Sequence, residues 1–338
     1  MTFDIRTEQG GNPMRHLTLA AAAALTVSAT AGLAQDTLKM ATIEPSLGQA
    51  ITMATFANVV NGKLSDIQIE VAGGGAATLH QIETARGNLD MYMVSPTIYN
   101  FMSTGKAMYA NQPDAAEVSE NLALLMWFPY GQYHYAVRGD SDIEYLDDIE
   151  GATVFLGPAG GGAFNAAKGW IEATTGLVAG EDYEAITANW ATGFQSFLDG
   201  KIDMYVNGCI DPCQQFIQFT ETESLRFIGP EDHTGEAVDK FLGNFRYLAE
   251  VPAGIYGNQV NDGPVMSNDT AVGIGLRADL DEETVYQVTK AFWDNVDSIT
   301  SDAPWAKALS IEFAVQSLAG MPLHPGAERY YREVGALK

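Results

Sequence analysis

The stretch 157–164, with the sequence GPAGGGAF, has the composition of a loop that lets a ligand approach the main chain. It follows the short apolar run ATVFL and precedes NAAKGWIEATTG, which has helical character. Glycine is costly to order, so three in a row need a reason. A glycine loop at the start of a helix presents unpaired N–H groups at the positive end of the helix dipole, which suits a carboxylate or a similar anion.

Two phosphate-binding motifs are the specific alternatives for this loop. A P-loop needs GxxxxGK[ST]. Gly157 and Gly162 have that spacing, but Ala and Phe stand where Lys and Ser or Thr belong. A dinucleotide loop needs GxGxxG, and here Asn165 occupies the third glycine position. The sequence therefore favours a loop whose main-chain N–H groups bind an anion, that is, an anion cradle. The alternative is a tight turn that binds no ligand.

A second glycine loop occurs in the same context earlier in the chain. VAGGGAATL corresponds to GPAGGGAFN, and GNLDMYMV corresponds to GKIDMYVN, in the same order. This weak internal similarity indicates two lobes built on one plan, each with a glycine loop at the carboxyl end of a strand. Ligands of open α/β sheets bind outside those ends, so we expect the two loops to form walls of one cleft.

The hydrophobic pattern alternates between strands and helices, which is typical of an α/β fold with parallel pairing. The predicted strands include LKMATI, IQIEVAGGG, NLDMYMV, LALLMWF, QYHYAVR, ATVFL, KIDMYVNG and AVGIGLRADL. The predicted helices include QAITMATFANVVNG, AATLHQIETARG, FNAAKGWIEATTG, TGFQSFLDG and DEETVYQVTKAFWDNVDSI, and Gly176 is placed to end the third. The stretch VPAGIYGNQVNDGPVMSNDT is predicted to be loop-rich.

Bulk properties and the N-terminus indicate an exported globular protein. The 338 residues suffice for two domains, and a net charge of −25 offers no basic footprint for nucleic acid. The segment MRHLTLAAAAALTVSATAGLAQD has the layout of a secretory signal cleaved after Ala34. Residues 1–13 fit no signal pattern, which suggests a mis-chosen start codon. We expect a mature chain of residues 35–338 without a membrane span.

The residue types that commonly carry catalysis form no motif in this chain. The five histidines are scattered, and neither HExxH nor GxSxG occurs. Carboxylates are abundant, so counting does not decide for or against a glycosidase pair. The sequence therefore predicts a non-enzyme with no catalytic residues and no cofactor.

The two cysteines, Cys209 and Cys213, flank Pro212 in NGCIDPCQQ. A turn at this proline would bring them within bonding reach, and a disulfide is compatible with an exported chain. The sequence leaves a disulfide and two free thiols open. No histidine or second CxxC accompanies them in the chain, so no metal site is predicted.

Aromatic side chains with a polar tip suit a small-molecule pocket, although packing is their commoner fate. One set of candidates clusters in MWFPYGQYHYAVR, namely Trp127, Tyr130, Tyr133 and Tyr135. Another lies near loop signals, namely Tyr92, Tyr99, Trp190 and Tyr256.

Ordered segments along the mature chain resemble the solute-binding proteins of TRAP transporters, specifically the TAXI subfamily. These segments are AGGGAATLHQIETARGNLDMYMVSP, AVRGDSDIEYLDDIEGATVFLGPAGGGAFNAAKG, LDGKIDMYVNG, VPAGIYGNQ and MPLHPGAERYYREVG. The resemblance implies a two-lobed periplasmic-binding-protein fold, type II-like, with a mostly parallel mixed sheet in each lobe, and a hinged cleft. It places lobe 1 at residues 35–138 and 271–338 and lobe 2 at residues 139–270, with crossovers near Arg138–Gly139 and Thr270–Ala271.

The same resemblance implies a periplasmic protein, expected to be a monomer, that delivers a small solute to TRAP membrane permease subunits. The ligand-binding positions that it and the aromatic candidates give are Ser46, Leu47, Gly48, Gly74, Gly75, Thr78, Ser95, Tyr99, Trp127, Tyr130, Gly160, Gly161, Gly162, Ala163, Trp190, Asn207, Gly208 and Tyr256. Where the family commonly has GSGTR, residues 160–164 are GGGAF, so the hydroxyl and the guanidinium are missing. We therefore expect one carboxylate, from an organic acid or an amino acid, on the amides of 160–163.

Two other classes of protein use this architecture and stay open at this point. One is the binding protein of an ATP-driven importer, and the other is a periplasmic enzyme or sensor partner. A neighbouring membrane subunit separates the two transporter types, and turnover of a bound ligand marks the enzyme.

Overall fold

The computed structural model describes residues 36–243, 245–301 and 303–338, and residues 35–338 form one compact unit. The expected signal segment and the expected cleavage site after Ala34 lie outside the described residues. Within those residues, no helix is long and apolar enough to span a bilayer.

The described residues contain eleven strands and eleven α-helices. The strands are β1 (Asp36–Thr42), β2 (Ile67–Gly73), β3 (Met91–Val94), β4 (Leu122–Pro129), β5 (Gln132–Arg138), β6 (Thr153–Phe155), β7 (Glu184–Ala185), β8 (Met204–Cys209), β9 (Leu225–Ile228), β10 (Arg246–Val251) and β11 (Val265–Arg277). The helices are α1 (Gly48–Lys63), α2 (Ala77–Ala85), α3 (Pro96–Ser103), α4 (Ala115–Val118), α5 (Gly162–Thr175), α6 (Trp190–Leu198), α7 (Gln214–Thr220), α8 (Glu236–Leu242), α9 (Glu282–Trp293), α10 (Ile311–Ala314) and α11 (Pro325–Glu333).

The first sheet has six strands, in the order β10-β11-β3-β1-β2, and β4 also pairs with β11. The strand β1 is parallel to β2 and β3, whereas β11 runs antiparallel to β3, β4 and β10. Thr42 at the end of β1 is in register with Gly73 at the end of β2. The glycine loop after β2 therefore lies at the carboxyl edge of the parallel strands.

The second sheet has five strands, in the order β7-β6-β8-β5-β9. Here β6 is parallel to β7 and β8, and β5 is antiparallel to β8 and β9. The glycine loop 157–161 follows β6, in the central part of this sheet. The fold is thus α/β with two mixed sheets flanked by helices, as the sequence predicts.

The fully buried central strands have continuous apolar sequences, which is typical of strands that are covered on both faces. In β3 every residue is buried, and in β4 seven consecutive residues are buried. The predicted inward face of α5 is confirmed at Ala167 and Ile171, which are fully buried, and Phe164 packs against the same core. Gly176 ends this helix in the left-handed conformation, with φ of 79°.

The strand boundaries differ from the predictions in the C-terminal half. The strand β11 starts at Val265, inside the stretch 251–270 predicted to be loop-rich, because its first six residues pair with β10, which ends where that stretch begins. Neither β9 nor β10 was predicted, since LRFI and RYLAEV are short and flanked by polar residues.

The chain passes between the two sheets earlier than the expected Arg138–Gly139. The strand β5 pairs with β8 and β9 in the second sheet, so the passage falls at Tyr130–Gly131, between β4 and β5. By sheet membership the chain returns to the first sheet between β9 and β10, and within β11 the pairing changes from β10 to β4 between Thr270 and Ala271. The two passing segments, which are the Tyr130–Gly131 connection and residues 269–271 of β11, are hydrogen-bonded to each other. The Tyr130 N–H donates to the Thr270 carbonyl at 2.8 Å.

Gly131 is fitted to this passage by both its conformation and its surroundings. Its φ is +101°, and a methyl group at its Cα would overlap the backbone carbonyl carbon of Cys209 at the end of β8. A side chain here would have to displace main chain, which cannot move aside as a flexible side chain can.

We predict that Gly131→Ala lowers the free energy of unfolding by about 4 kcal/mol or more, because backbone overlap adds to left-handed strain. The matched control is Gly180→Ala, where φ is +85° and nothing lies within 4 Å of the added methyl. That variant should lose only about 1–2 kcal/mol, the strain alone. Urea unfolding of both variants measures the difference, and equal losses would contradict the role of the Cys209 contact.

Candidate functional site

A cavity of about 460 Å³ lies where loops from both sheets meet. Its walls include the two glycine loops that the sequence analysis paired, and residues from the loops after β1, β3 and β4. The lining residues are Ile43, Glu44, Gly75, Ala76, Ala77, Thr78, Met93, Ser95, Ile98, Met108, Tyr130, Tyr133, Pro158, Ala159, Gly160, Gly161, Gly162, Ala163, Asn189, Trp190, Ala191, Thr270 and Val272.

The first glycine loop turns sharply out of β2. Gly74 and Gly75 have φ of +97° and +88°, which side chains rarely adopt. The Gly74 N–H donates to the Ile43 carbonyl at 3.0 Å, which ties this loop to the loop after β1. The helix α2 then begins after Ala76, whose side chain gives no cap.

The second glycine loop turns out of β6 in the same way. Gly157 and Gly160 have positive φ values of 105° and 76°. The Gly161 N–H donates to the Pro158 carbonyl at 3.0 Å, and α5 begins directly after it. The residue before α5 is glycine, so no side chain caps its first turn.

Four helices begin at this cavity, two after strands of each sheet. The residues that precede α2, α3, α5 and α6 are Ala76, Ser95, Gly161 and Asn189, and all four line the cavity. Only Asn189 caps its own helix, by accepting from the Thr192 N–H at 2.8 Å. The first-turn N–H groups of the other three helices have no side-chain cap and carry the positive partial charge of the helix ends.

The described lining contains no Lys or Arg, and Glu44 is its one charged side chain. A ligand anion there would therefore be held by peptide N–H groups and helix dipoles rather than by an ion pair. Such sites bind phosphate, sulfate or carboxylate groups.

Aromatic and aliphatic side chains form the rest of the wall. The Tyr130 and Tyr133 rings stack with centroids 5.2 Å apart, and Trp190 packs edge-on against Phe155 at 5.5 Å. Burial raises the pKa of the Tyr130 and Tyr133 hydroxyls, so both rings are neutral in ordinary buffers. This part of the cavity suits the uncharged body of a small organic ligand.

Half of the expected ligand-binding residues line this cavity, namely Gly75, Thr78, Ser95, Tyr130, Gly160, Gly161, Gly162, Ala163 and Trp190. Two others, Ser46 and Gly48, line a neighbouring cavity of about 180 Å³, which Tyr130 also borders. The rest line neither cavity. Leu47, Tyr99 and Trp127 pack in the core, and Gly74 shapes the first loop. Asn207 and Gly208 are buried in the central strand β8, and Tyr256 is buried in the apolar cluster that packs on the second sheet.

Several lining residues were missed at the sequence level. Asn189 precedes a helix and matches a helix N-cap signal, so it could have been found. No local signal marks Glu44 and Thr270, and the fold brings them to the wall. Tyr133, one of the aromatic candidates of MWFPYGQYHYAVR, also lines the cavity.

The structure joins Cys209 and Cys213 in a disulfide, with Cα atoms 5.8 Å apart. It also places His134 beside the disulfide, with Nδ1 3.8 Å from the Cys213 Sγ. The His134 Nε2 lies 2.7 Å from Asp211 Oδ1, which also accepts from the Tyr256 hydroxyl at 2.8 Å. His134 was not predicted here because the antiparallel pairing of β5 with β8 brings it to the cysteines from 75 residues away in the chain.

A half-buried carboxylate connects the two passing segments next to Thr270, which lines the cavity. Asp269 Oδ1 accepts from the Gly131 N–H at 3.0 Å and from the Thr270 N–H at 2.6 Å. Burial raises the pKa of Asp269 to about 7, against the opposing effect of these two hydrogen bonds.

This arrangement, two α/β sheets whose loops enclose one cavity, is the fold of periplasmic solute-binding proteins. The chain belongs to the NMT1-like family, whose model matches residues 46–335. The family and the similar solved structures are substrate-binding proteins, which are not enzymes. The family match does not extend to the TAXI subfamily, so membership of that subfamily stays a prediction.

Solved structures with this fold share little sequence with the chain. PhnD1 from Prochlorococcus marinus, in complex with methylphosphonate, has a TM-score of 0.52 and 9% identity, over 89% of this chain and 99% of that one. The aliphatic sulphonate binding protein SsuA from Escherichia coli has a TM-score of 0.44 and 13% identity, over 88% and 78%. A TRAP solute binding protein from Sulfitobacter sp. NAS-14.1, with bound β-D-galacturonate, has a TM-score of 0.45 and 14% identity, over 88% and 95%.

We predict that Asp269 makes the protein less stable as pH rises from about 4 to about 7. Its pKa is higher in the folded chain than in the unfolded chain, so the folded state holds an extra proton in this window. The stability that this proton gives is present below the window and is lost as pH rises through it. Above pH 7 the Asp269 contribution should level off.

The matched variant is Asp269→Asn, whose amide oxygen can accept the same two N–H groups without titrating. The difference in free energy of unfolding between wild type and Asp269→Asn, measured by urea unfolding at several pH values, should show this slope. A difference that is flat across the window would contradict the raised pKa.

Proposed function

We propose that the chain captures a small organic anion in the 460 Å³ cavity and delivers it to a TRAP-type transporter. The observation that carries this proposal is the convergence of four helix N-termini, from both sheets, on one cavity without Lys or Arg in its described lining. Membership of the NMT1-like family supports the role of a solute-binding protein.

The anionic group is a single carboxylate seated on the start of α5. Gly160, Gly162 and Ala163 offer backbone N–H groups and no side-chain donor, while the Gly161 N–H donates to Pro158. TAXI proteins commonly have a hydroxyl and an arginine at such positions. A second carboxylate on the same ligand would find no cation in the described lining. The proposed ligand is therefore a monocarboxylic acid rather than a dicarboxylic one.

Glu44 provides a reason to include amino acids among the candidates. It is the charged side chain of the described lining and lies on the loop after β1. An ammonium group near Glu44 and a carboxylate on the α5 amides would place a zwitterion across the cavity. A plain organic acid leaves Glu44 without a counterion, so the two ligand classes differ in their dependence on this residue.

The proposed binding motion is closure of two lobes about the passing segments. With β5 counted in the second sheet, the lobes meet at Tyr130–Gly131 and Thr270–Ala271. The walls already approach closely, because a methyl on Gly162 would lie 3.2 Å from the Ser95 Oγ on the other side of the cavity. Hinge closure around a solute is a common switch in two-lobed binding proteins.

The proposed setting is the periplasm, reached through a signal cleaved after Ala34, with TRAP permease subunits as the membrane partner. A binding protein of an ATP-driven importer is the second candidate, because the similar structures include an ABC sulfonate-binding protein and TRAP binders. Co-expression with the membrane proteins encoded beside this chain, followed by uptake with and without an ATPase, separates the two.

Calorimetry of residues 35–338 with a panel of monocarboxylates, dicarboxylates, amino acids, sulfonates, phosphonates, sugars and amines tests the ligand class. We predict binding within the monocarboxylate or amino acid group, and weaker binding of the matching dicarboxylate. Glu44→Gln should weaken an amino acid and leave its deaminated analogue unchanged. Binding of sugars or amines alone would refute the anion cradle.

We also predict that Ala163→Asp weakens the identified anion by about tenfold or more, because a carboxylate beside the ligand's charge repels it in a site of low dielectric constant. The control Ala163→Asn has nearly the same shape without the charge and should retain most of the affinity. Equal losses in the two variants would indicate a steric effect and would argue against charge recognition at the start of α5.

A further inference from the structure

A largely buried cluster of four possible metal-ligating side chains lies beside the smaller cavity and has no part in the proposed solute capture. It consists of Cys209, Cys213, His134 and Asp211, and one donor atom from each lies within 4.8 Å of every other. Thiolate sulfur, imidazole nitrogen and carboxylate oxygen are the donor types that Zn²⁺ takes in proteins. Because the two sulfurs form a disulfide in the structure, they can act as ligands only after reduction.

We propose that the reduced form of this cluster is a zinc site, with Cys209, Cys213 and His134 as ligands and Asp211 as the residue that positions the imidazole. A dithiol reductant supplies two electrons and two protons, so the disulfide becomes two thiols and the reductant becomes a disulfide. On metal binding each thiol loses its proton to solvent, and both thiolates coordinate the cation.

The orientation of His134 fits this role. With Nε2 2.7 Å from Asp211 Oδ1, a proton on Nε2 is donated to the carboxylate, and the lone pair of Nδ1 then faces the Cys213 sulfur. Pairing of a ligand imidazole with a carboxylate is the usual outer shell of a zinc site. The Asp211 carboxylate is held in turn by the Tyr256 hydroxyl at 2.8 Å.

The distances are those of ligands around one ion. Two ligands of a tetrahedral zinc, one nitrogen at about 2.0 Å and one sulfur at about 2.3 Å, lie about 3.5 Å apart. The His134 Nδ1 is 3.8 Å from the Cys213 Sγ. A Cα separation of 5.8 Å at the two cysteines lets the sulfurs spread from a disulfide to two thiolates by side-chain rotation.

The cluster has an entry path and an unsatisfied acceptor. Both cysteines line the smaller cavity, of about 180 Å³, so a small reductant or a cation can reach the sulfurs. Asp211 Oδ2 is buried and has no hydrogen-bond partner in the structure. An unpartnered buried carboxylate oxygen is costly, and a nearby cation offsets that cost.

Cobalt titration tests the proposal, since Co²⁺ reports thiolate ligation by its absorption. Residues 35–338 are reduced with dithiothreitol, desalted without oxygen, checked by circular dichroism and titrated with Co²⁺. We expect the reduced protein to bind a single equivalent with a thiolate-to-cobalt charge-transfer band that Zn²⁺ abolishes, and the oxidised protein to give no band. A band of equal size in the oxidised protein, or none in the reduced one, would overturn the proposal.

Two variants and one control variant test which side chains bind the cation. Cys213→Ser should remove most of the charge-transfer band, and His134→Gln should weaken Co²⁺ by about tenfold or more. His233→Gln changes a histidine outside the cluster and should leave the titration unchanged. If His134→Gln binds Co²⁺ like the wild type, or if reduction unfolds the protein and Zn²⁺ does not restore its circular dichroism, the site is not as proposed.

Discussion

The architecture depends on the hydrogen-bonded junction where the two passing segments lie side by side. Tyr130 and Gly131 leave the first sheet next to Asp269 and Thr270, where the pairing of β11 changes from β10 to β4. Three N–H groups are satisfied at that point. Buried peptide groups must find partners, so the segments hold each other in place. The cavity lies against this junction, since Tyr130 and Thr270 line its wall.

Close packing around Gly131 also connects this junction to the disulfide segment beside the smaller cavity. Gly131 lies against the backbone of Cys209, and Cys209 begins the segment that carries the disulfide. Across the smaller cavity, a methyl on Gly48 would lie 3.3 Å from the Cys209 side chain. The start of α1 and the end of β8 are therefore in close packing, and neither can shift alone because interiors are as dense as organic crystals.

Elements with strong periodicity could be predicted from the sequence, and elements created by pairing could not. Apolar runs such as LALLMWF and the cap at Gly176 mark their elements locally. In contrast, β10 is short and carries charged residues, and the start of β11 contains Ser, Asn and Asp. Both become strands because they pair with each other. The site follows the same division. The glycine loops can be recognised in the sequence, whereas Glu44 and Thr270 are brought to the cavity only by the fold. Trp127 was expected at the ligand but is buried in the core.

A cradle made of peptide N–H groups has a consequence for how the site changes over generations. Single substitutions remove side chains but not the main-chain amides at the starts of α2, α3 and α5, so the capacity to hold one negative charge persists through most sequence drift. The apolar part of the wall, with Trp190, Ile98 and Met108, consists of replaceable side chains. Relatives with this cradle would then exchange one acid for another through that wall while retaining the preference for an acid.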